Sequence, residues 1–520
     1  MKRTITRAVE EDFIKESEEL FNRYYENTRS FRQKCDENES FWKSDHWHGK
    51  NKNPNEPYPS VPALFSAIEN LHAEIMDNYP EALVLPYGNE DKGMANAIAS
   101  IIDVILERSR FCGKYRKEML RLLKRGACCF SVIWDSTLYG GYGDIDIVAE
   151  DMRRILWDTS KDDIQSGSNL FRMSYCSKDH IKTFYADKYD QVCENEYNGV
   201  SCVRNDGDNI LIIERWYKQY DIQTDRIKVQ MARIANGVLL EWSEKDPELA
   251  ERGIYADGKY PFVVIPLYEV EDSPVGMGLI DIFKSEQEYI DILDRIILKN
   301  AMMSGKLRLL KDNRCNIPKE KLADWDEDVL EGSDISERSI RWFQPQTVSP
   351  IVSEHLNFKI DMLKRDSGQT DIVRGENSHG VTAASAILAL QNAATKRTRN
   401  IVGRVYDKYI DMIHMIISRI MQFYDETRTV SAVNEDGNDV QYFIPQDALV
   451  ESTYDFDIKI KARKKNPYEV TYDNEIAQNL YNSGIIDAIS MLEMMNFDGK
   501  DAIIKKLREE EKLTAQPKNI

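Results

Sequence analysis

The chain has 520 residues, 42% hydrophobic and 30% charged, and a formal net charge of −19, a globular composition with apolar surface for several domain-sized cores. An acidic balance without a basic tail excludes a protein that coats nucleic acid, since sequence-independent DNA binding neutralises phosphate with Lys and Arg; a protein that DNA merely passes through stays open. Eight cysteines without CxxC spacing, an N-terminus MKRTITRAVEEDF without an apolar leader and no window of ~18 apolar residues point to a reducing compartment, without secretion or a membrane span.

Residues 8–40 read as one charged helix. Prolines at 54, 57, 59 and 62 then exclude helix or central strand from 41 to 62. Inside that stretch DHWHG (45–49) offers Asp45, His46 and His48 as a metal cluster. No further ligand follows at zinc spacing, so Trp47 reads as an aromatic anchor between solvated histidines. Helical periodicity returns over Ala63–Asn78 and Lys92–Arg125, the second closed by a basic turn with Gly126 as its C-cap.

From 127 to 270 the period shortens to that of strands. CCFSVIWD and GDIDIVAE flank a glycine-bearing turn at Tyr139–Gly143, and Asn236–Gly237 between two apolar runs is a hairpin signal. The LYGGYGD run joins two strands and opens no helix, so its GxG spacing carries no nucleotide meaning. YPFVVIPLYEV (260–270) closes the region.

A helix is expected over Val275–Met303, with Phe283, Ile290 and Ile297 seven residues apart. Gly305, Pro318, Gly332 and Pro345 break the pattern over 304–348. DWDEDVLEGSD (324–334) lies there, six carboxylates without the glycine of a calcium loop, and reads as a solvated acidic surface. Ser349–Pro350 starts a second helix that runs to Gly368.

The stretch GQTDIVRGENSHGVT (368–382) places Gly375, Gly380 and Thr382 at phosphate-loop spacing, but Val381 stands where the lysine belongs. No buried parallel strand leads into it, so a mobile polar loop is preferred over a nucleotide site. A long helix follows from Thr382 to Thr427, ~70 Å if straight, with Gly403 as a candidate kink or close-packing point. Its Lys396, Arg397, Arg399 and Arg404 read as a solvated or salt-bridged face ahead of a DNA contact. Val402, Tyr406, Tyr409, Ile413, Ile416, Ile420 and Phe423 form a heptad seam, equally suited to the core of one subunit and to subunit packing. VQYFIPQ and YDFDIKIKA alternate as strands, and 467–513 returns to helix.

Four segments in this order resemble the portal protein of tailed bacteriophages, over roughly residues 15–510. They are FWKSDHW before the proline-rich stretch; LKRGACCFSVIWDSTLYGGYGDIDIVAEDMRRILWDTSKDDI, in which Thr159 replaces a frequent proline after Asp158; SPVGMGLIDIFKSEQEYIDILDRIILKNA, with Gly276, Gly278 and Gln287; and SGQTDIVRGENSHGVTAASAILALQNAATKR. The resemblance implies an α+β portal fold assembled as a ring, usually a dodecamer. Residues 1–275 would be the wing, 276–303 a stem helix, 304–349 the clip, 350–368 the second stem helix and 369–381 a tunnel loop. Residues 382–428 would be the long wing helix, 429–466 a β-containing return and 467–520 a helical crown and tail.

The same resemblance implies that Gln369, Thr370, Asp371, Arg374, Glu376, Asn377, Ser378 and His379 face DNA, with Gly368, Gly375 and Gly380 as hinges. Subunit packing would fall to Tyr406, Tyr409, Ile413, Ile416, Ile420 and Phe423. It implies no catalysis, metal or cofactor. The partners would be further copies of the chain, the terminase large subunit, head-completion or tail adaptor proteins, major capsid and scaffolding proteins, and double-stranded DNA in transit. Assembly would take place in the host cytoplasm, and the final location would be the portal vertex of the virion. The competing readings are a degenerate P-loop packaging ATPase and a coiled-coil scaffold.

Overall fold

A computed structural model describes residues 6–54, 56–85, 92–194, 209–222, 225–305, 308–311, 316–318, 340–343, 347–368, 396–424, 429–433, 439–443, 457–462, 467–495, 500, 503–504 and 507. The charged N-terminal stretch is two helices, α1 (Arg7–Asn27) and α2 (Arg29–Trp42). Thr28 separates them: its hydroxyl donates to the Tyr24 carbonyl at 2.8 Å, a local bond that competes with the helix ladder. After α3 (Ala63–Asp77) and strand β1 (Pro80–Leu85), the helix expected over 92–125 is also two, α4 (Lys92–Arg108) and α5 (Phe111–Arg125). Arg110 causes the break by taking left-handed backbone, φ 52°, where no L-residue continues a right-handed helix.

Then come β2 (Ala127–Asp135), β3 (Asp144–Glu150), β4 (Ile155–Leu156), β5 (Asn169–Ser177), α6 (Lys178–Phe184) and α7 (Tyr189–Glu194). They lead to β6 (Asn209–Asp221), β7 (Arg226–Ala235), β8 (Val238–Trp242), α8 (Pro247–Arg252), β9 (Phe262–Pro266), β10 (Tyr268–Val270) and β11 (Ser273–Met277). The chain continues through α9 (Leu279–Ser304), β12 (Arg308–Lys311), β13 (Ile340–Phe343), α10 (Pro350–Asp366) and α11 (Lys396–Phe423). Last are β14 (Thr429–Val433), β15 (Asp439–Phe443), β16 (Asp457–Ala462), α12 (Pro467–Asn482) and α13 (Ala488–Met494). Among the described residues no helix is long and apolar enough to cross a membrane.

Two compact units result. The first joins Met1–Asp36, Ile68–Gly278 and Thr395–Ile520; the second joins Glu37–Ala67 with Leu279–Ala394. Reading by sequence put residues 37–67 in the N-terminal body, whereas their contacts group them with α9.

In the first unit β4 to β8 form an antiparallel five-stranded sheet in chain order, and β3, β2 and β9 form a three-stranded one. The β7–β8 turn is the expected one, with Asn236 (φ 45°) and Gly237 (φ 73°) both left-handed. Register sets Arg172 opposite Glu214, Glu214 opposite Arg233 and Arg233 opposite Glu241. The ion pairs are 3.5, 3.1 and 2.9 Å long, and Glu150 extends the row with a 2.9 Å bond to Arg172. Alternating charges directly opposite one another fix that register, because a one-residue slip breaks every pair.

A core cluster drawn from both sheets includes Trp157, Leu170, Trp216, Phe262 and Val264, with Phe31 and Cys35 of α2. Each fully buried side chain of this size contributes ~1.5–3 kcal/mol. Pairing of β1 with β16 joins the second and third of the unit's chain pieces, Pro80 opposite Ala462. Helix α11 packs on β2 and β9. It runs through Gly403, where an added Cβ would have no neighbour within 4 Å, so this glycine is not a close-packing point.

Gly276 and Gly278, expected at the head of a helix, instead belong to a backbone knot, and α9 starts only at Leu279. Gly126 ends α5 in left-handed backbone, φ 83°. A Cβ on Gly126 would lie 2.4 Å from the Gly276 carbonyl oxygen, one on Gly276 2.2 Å from that of Tyr268, and one on Gly278 2.7 Å from that of Lys124. Main chain meets main chain here, so no side chain can rotate away. Gly276→Ala is therefore expected to cost ~2–3 kcal/mol by overpacking, while Gly403→Ala gains ~0.5–1 kcal/mol from lower unfolded-chain entropy. Paired denaturant melts check both signs.

Glu118 of α5 is fully buried, and burial pushes its carboxyl up to about 7 against the pull of the Arg121 guanidinium at 2.5 Å. A carboxyl raised in the folded state contributes stability below its unfolded value of 4.5, and that contribution fades as pH climbs through the folded value. Glu118→Gln should thus match the parent near pH 4 and exceed it at pH 8 by on the order of 1–3 kcal/mol. Melting curves at the two pH values read the difference.

Candidate functional site on the α9 helix

Helix α9 carries Gln287, Asp291 and Arg295 at four-residue steps, which puts them on one face. All three hold the proline-bearing segment that connects α2 and α3. Gln287 is fully buried. Its amide oxygen accepts the Leu64 N–H at 3.0 Å, one of the first-turn N–H groups of α3 that has no partner inside the helix. Its amide nitrogen donates to the Val61 carbonyl at 2.7 Å and to Asp291 Oδ1 at 3.2 Å.

Asp291 is 1% exposed. The same Oδ1 accepts the Val61 N–H at 2.8 Å, and Oδ2 lies 2.5 Å from His46 Nδ1. The His46 ring stacks on Phe41 at 4.2 Å and 18°. One turn on, the Arg295 guanidinium lies 4.3 Å from the Tyr58 ring centre and 5.3 Å from that of Trp47, and pairs with Glu56. Lys299 also reaches Glu56 at 2.8 Å, and Lys50 reaches Glu288 at 3.2 Å. The Trp47 indole donates to the Pro59 carbonyl at 2.8 Å.

The physical reason is one of satisfaction. A segment with four prolines forms neither helix nor ladder, so its buried backbone groups need side-chain partners. Each such hydrogen bond is worth ~1 kcal/mol net, but an orphaned buried carboxylate costs several.

Among the described residues, the second unit also holds the whole of α10. Ser349 precedes Pro350 at its start, and Gly368 lies just past its end with φ 89°. Lys359 ties it to Glu286 of α9 at 2.8 Å. Strands β12 and β13 pair antiparallel, Arg308 opposite Phe343. The acidic run 324–334, the DNA-facing candidates Gln369 to His379, and Gly375, Gly380, Val381 and Thr382 lie outside the described residues.

Other sequence candidates are placed. His46 is buried on Asp291 and not solvated; only His48 is exposed, 3.1 Å from Asp45. Trp47 is the anchor expected of it. Among the described residues no group of three or more His, Cys, Asp or Glu converges as for a metal ion. The basic run at the start of α11 is partly spent inside the first unit. Arg397 donates to the Tyr268 hydroxyl at 3.2 Å, and Arg404 donates to the Leu267 carbonyl beside the Tyr268 ring.

The heptad seam is also internal. Tyr409, Ile413, Ile416 and Ile420 are buried within this chain, Tyr409 stacked on Phe111 at 5.9 Å. Tyr406 donates its hydroxyl to the Asn78 carbonyl, and Phe423 stacks on Trp134 at 4.8 Å. Tyr406 and Phe423 are half-buried, and all of these contacts lie within one chain.

The α9 stripe was missed by reading from sequence. Only the four-residue spacing of Gln287, Asp291 and Arg295 pointed to it, and the helix carries other polar residues, among them Lys284, Glu288 and Asp294, that blur that spacing.

No curated protein matches the chain. A family model described as Phage P22-like portal protein matches residues 18–269 and 320–519. That match spans both units and most of the sequence, on a mixed helix-and-sheet architecture. The chain belongs to the phage P22-like portal protein family.

Proposed function

We propose that this portal subunit is one sector of a dodecameric ring at a single capsid vertex, through whose channel double-stranded DNA is packaged and later ejected. The family match over 18–269 and 320–519 carries this reading. In it the second unit supplies the stem, α9 and α10, and the clip around β12 and β13 that docks the terminase large subunit and then tail adaptors. The first unit supplies the wing, and the C-terminal helices supply the crown. Scaffolding and major capsid proteins surround the ring during assembly in the host cytoplasm.

The net charge of −19 per subunit supports a channel that passes DNA. Counter-ion release on a basic wall would hold the duplex and act as a brake, whereas an acidic wall lets it slide. Residues 369–381 form the tunnel loop in this reading, with Gln369 to His379 toward DNA and glycines 368, 375 and 380 as hinges. The family is structural, and ATP hydrolysis belongs to a separate terminase.

Gly375→Pro combined with Gly380→Pro restricts backbone freedom without removing side chains. Particles carrying both should incorporate the portal normally but hold shorter or leaking DNA; unchanged DNA length and retention would count against a mobile loop. The purified chain should also turn over no ATP or GTP, because Val381 replaces the lysine of a phosphate loop. Turnover that disappears in Thr382→Ala would restore the nucleotide site instead.

A further inference from the structure

The ion-pair row across the five-stranded sheet floors an open cavity of about 420 Å³, within the ~300–1,000 Å³ of cavities that hold small molecules. Strand alternation puts Arg172 and Ser174 of β5 on one face, and register sets Glu214 opposite Arg172 and Arg233 opposite Glu214. His180 of α6 and Tyr185 just beyond it supply the wall. The charges of the floor are spent on one another. Arg172 lies between Glu150 and Glu214, and Arg233 between Glu214 and Glu241. Glu214 Oε1 also accepts the Trp216 indole N–H at 2.7 Å. Two guanidiniums against three carboxylates leave no excess positive charge for an anion, and a cation would face both guanidiniums. What remains is hydrogen-bonding capacity. The Ser174 hydroxyl has no hydrogen-bond partner among the described residues. Tyr185 donates to Glu241 at 2.7 Å, and burial together with that bond pushes it up to about 12, so it stays a neutral hydroxyl. At the rim the His180 ring lies 4.5 Å from that of Phe184, which is 59% exposed.

We propose that this cavity binds a small uncharged sugar, whose hydroxyls meet Ser174, Tyr185 and the guanidinium edges while its C–H face lies on the rings of His180 and Phe184. A sugar needs both kinds of surface at once. Ion pairs held in place by strand register offer donors and acceptors to its hydroxyls without the repulsion of an unbalanced charge. An exposed aromatic ring beside a polar cavity offers an apolar face to its C–H groups. A peptide segment would look for apolar side pockets, and among the described residues that line the cavity Ile212 is the sole aliphatic one.

Saturation-transfer NMR on the whole chain tests this, with glucose, galactose and N-acetylglucosamine titrated separately into the millimolar range. The expected result is a saturable signal from at least one sugar in the parent. Its affinity should fall about tenfold in Ser174→Val, which removes a floor hydroxyl, and in Phe184→Ala, which removes the rim ring. Circular dichroism melts check the folds, and the exposed position of Phe184 lets Phe184→Ala keep the parent's melt. No saturable signal from any of the three sugars, or equal affinity in the parent and Phe184→Ala, overturns the site. Inorganic phosphate that displaces the sugar at matched ionic strength overturns the uncharged class and marks an anion site instead.

Discussion

Asp291 is the constraint on which the second unit depends. A carboxylate held 1% exposed between α9 and the proline-bearing segment is tolerable only with donors on both oxygens. Val61, Gln287 and His46 supply them, and each brings a different piece of chain. Gln287 then closes the start of α3, and Arg295 collects Trp47, Tyr58 and Glu56. One face of α9 thus turns a proline-bearing segment with no ladder of its own into ordered structure. Its geometry comes from side chains of one regular helix, which makes that helix costly to alter on this face.

The first unit is organised by a different economy of space. Gly126, Gly276 and Gly278 let three pieces of main chain touch where any Cβ would collide. Above them α11 fills the interior with Tyr409, Ile413, Ile416 and Ile420, and its last turn fastens the loop before β9. Gln422 there accepts the Ala256 N–H and donates to the Ile254 carbonyl, both at 2.9 Å, while Arg419 pairs with Asp257 at 2.7 Å. A helix engaged on so many sides serves the stability of the chain itself.

What was legible in the sequence was local. Asn236–Gly237, Gly126 as a helix end and Pro350 as a helix start each follow from backbone preferences of one or two residues. The breaks at Thr28 and Arg110 were not legible, because charged helical periodicity continues across both. Val275 looked helical because its apolar spacing fits, yet its tertiary neighbours hold it in β11. His46 illustrates the same limit: a histidine between exposed neighbours reads as solvated until the distant Asp291 is known. The seam of α11 had a correct period and an undetermined partner, since periodicity shows that a face is buried and not what buries it. The order of the four family-like segments carried the identity further than any one motif did.

Electron microscopy of protein released from procapsids shows whether the chain builds a channel-forming ring. The expected particles average, viewed end on, to a rotationally symmetric ring with an axial hole wide enough for a DNA duplex. Compact particles without a hole, or open filaments, would contradict it.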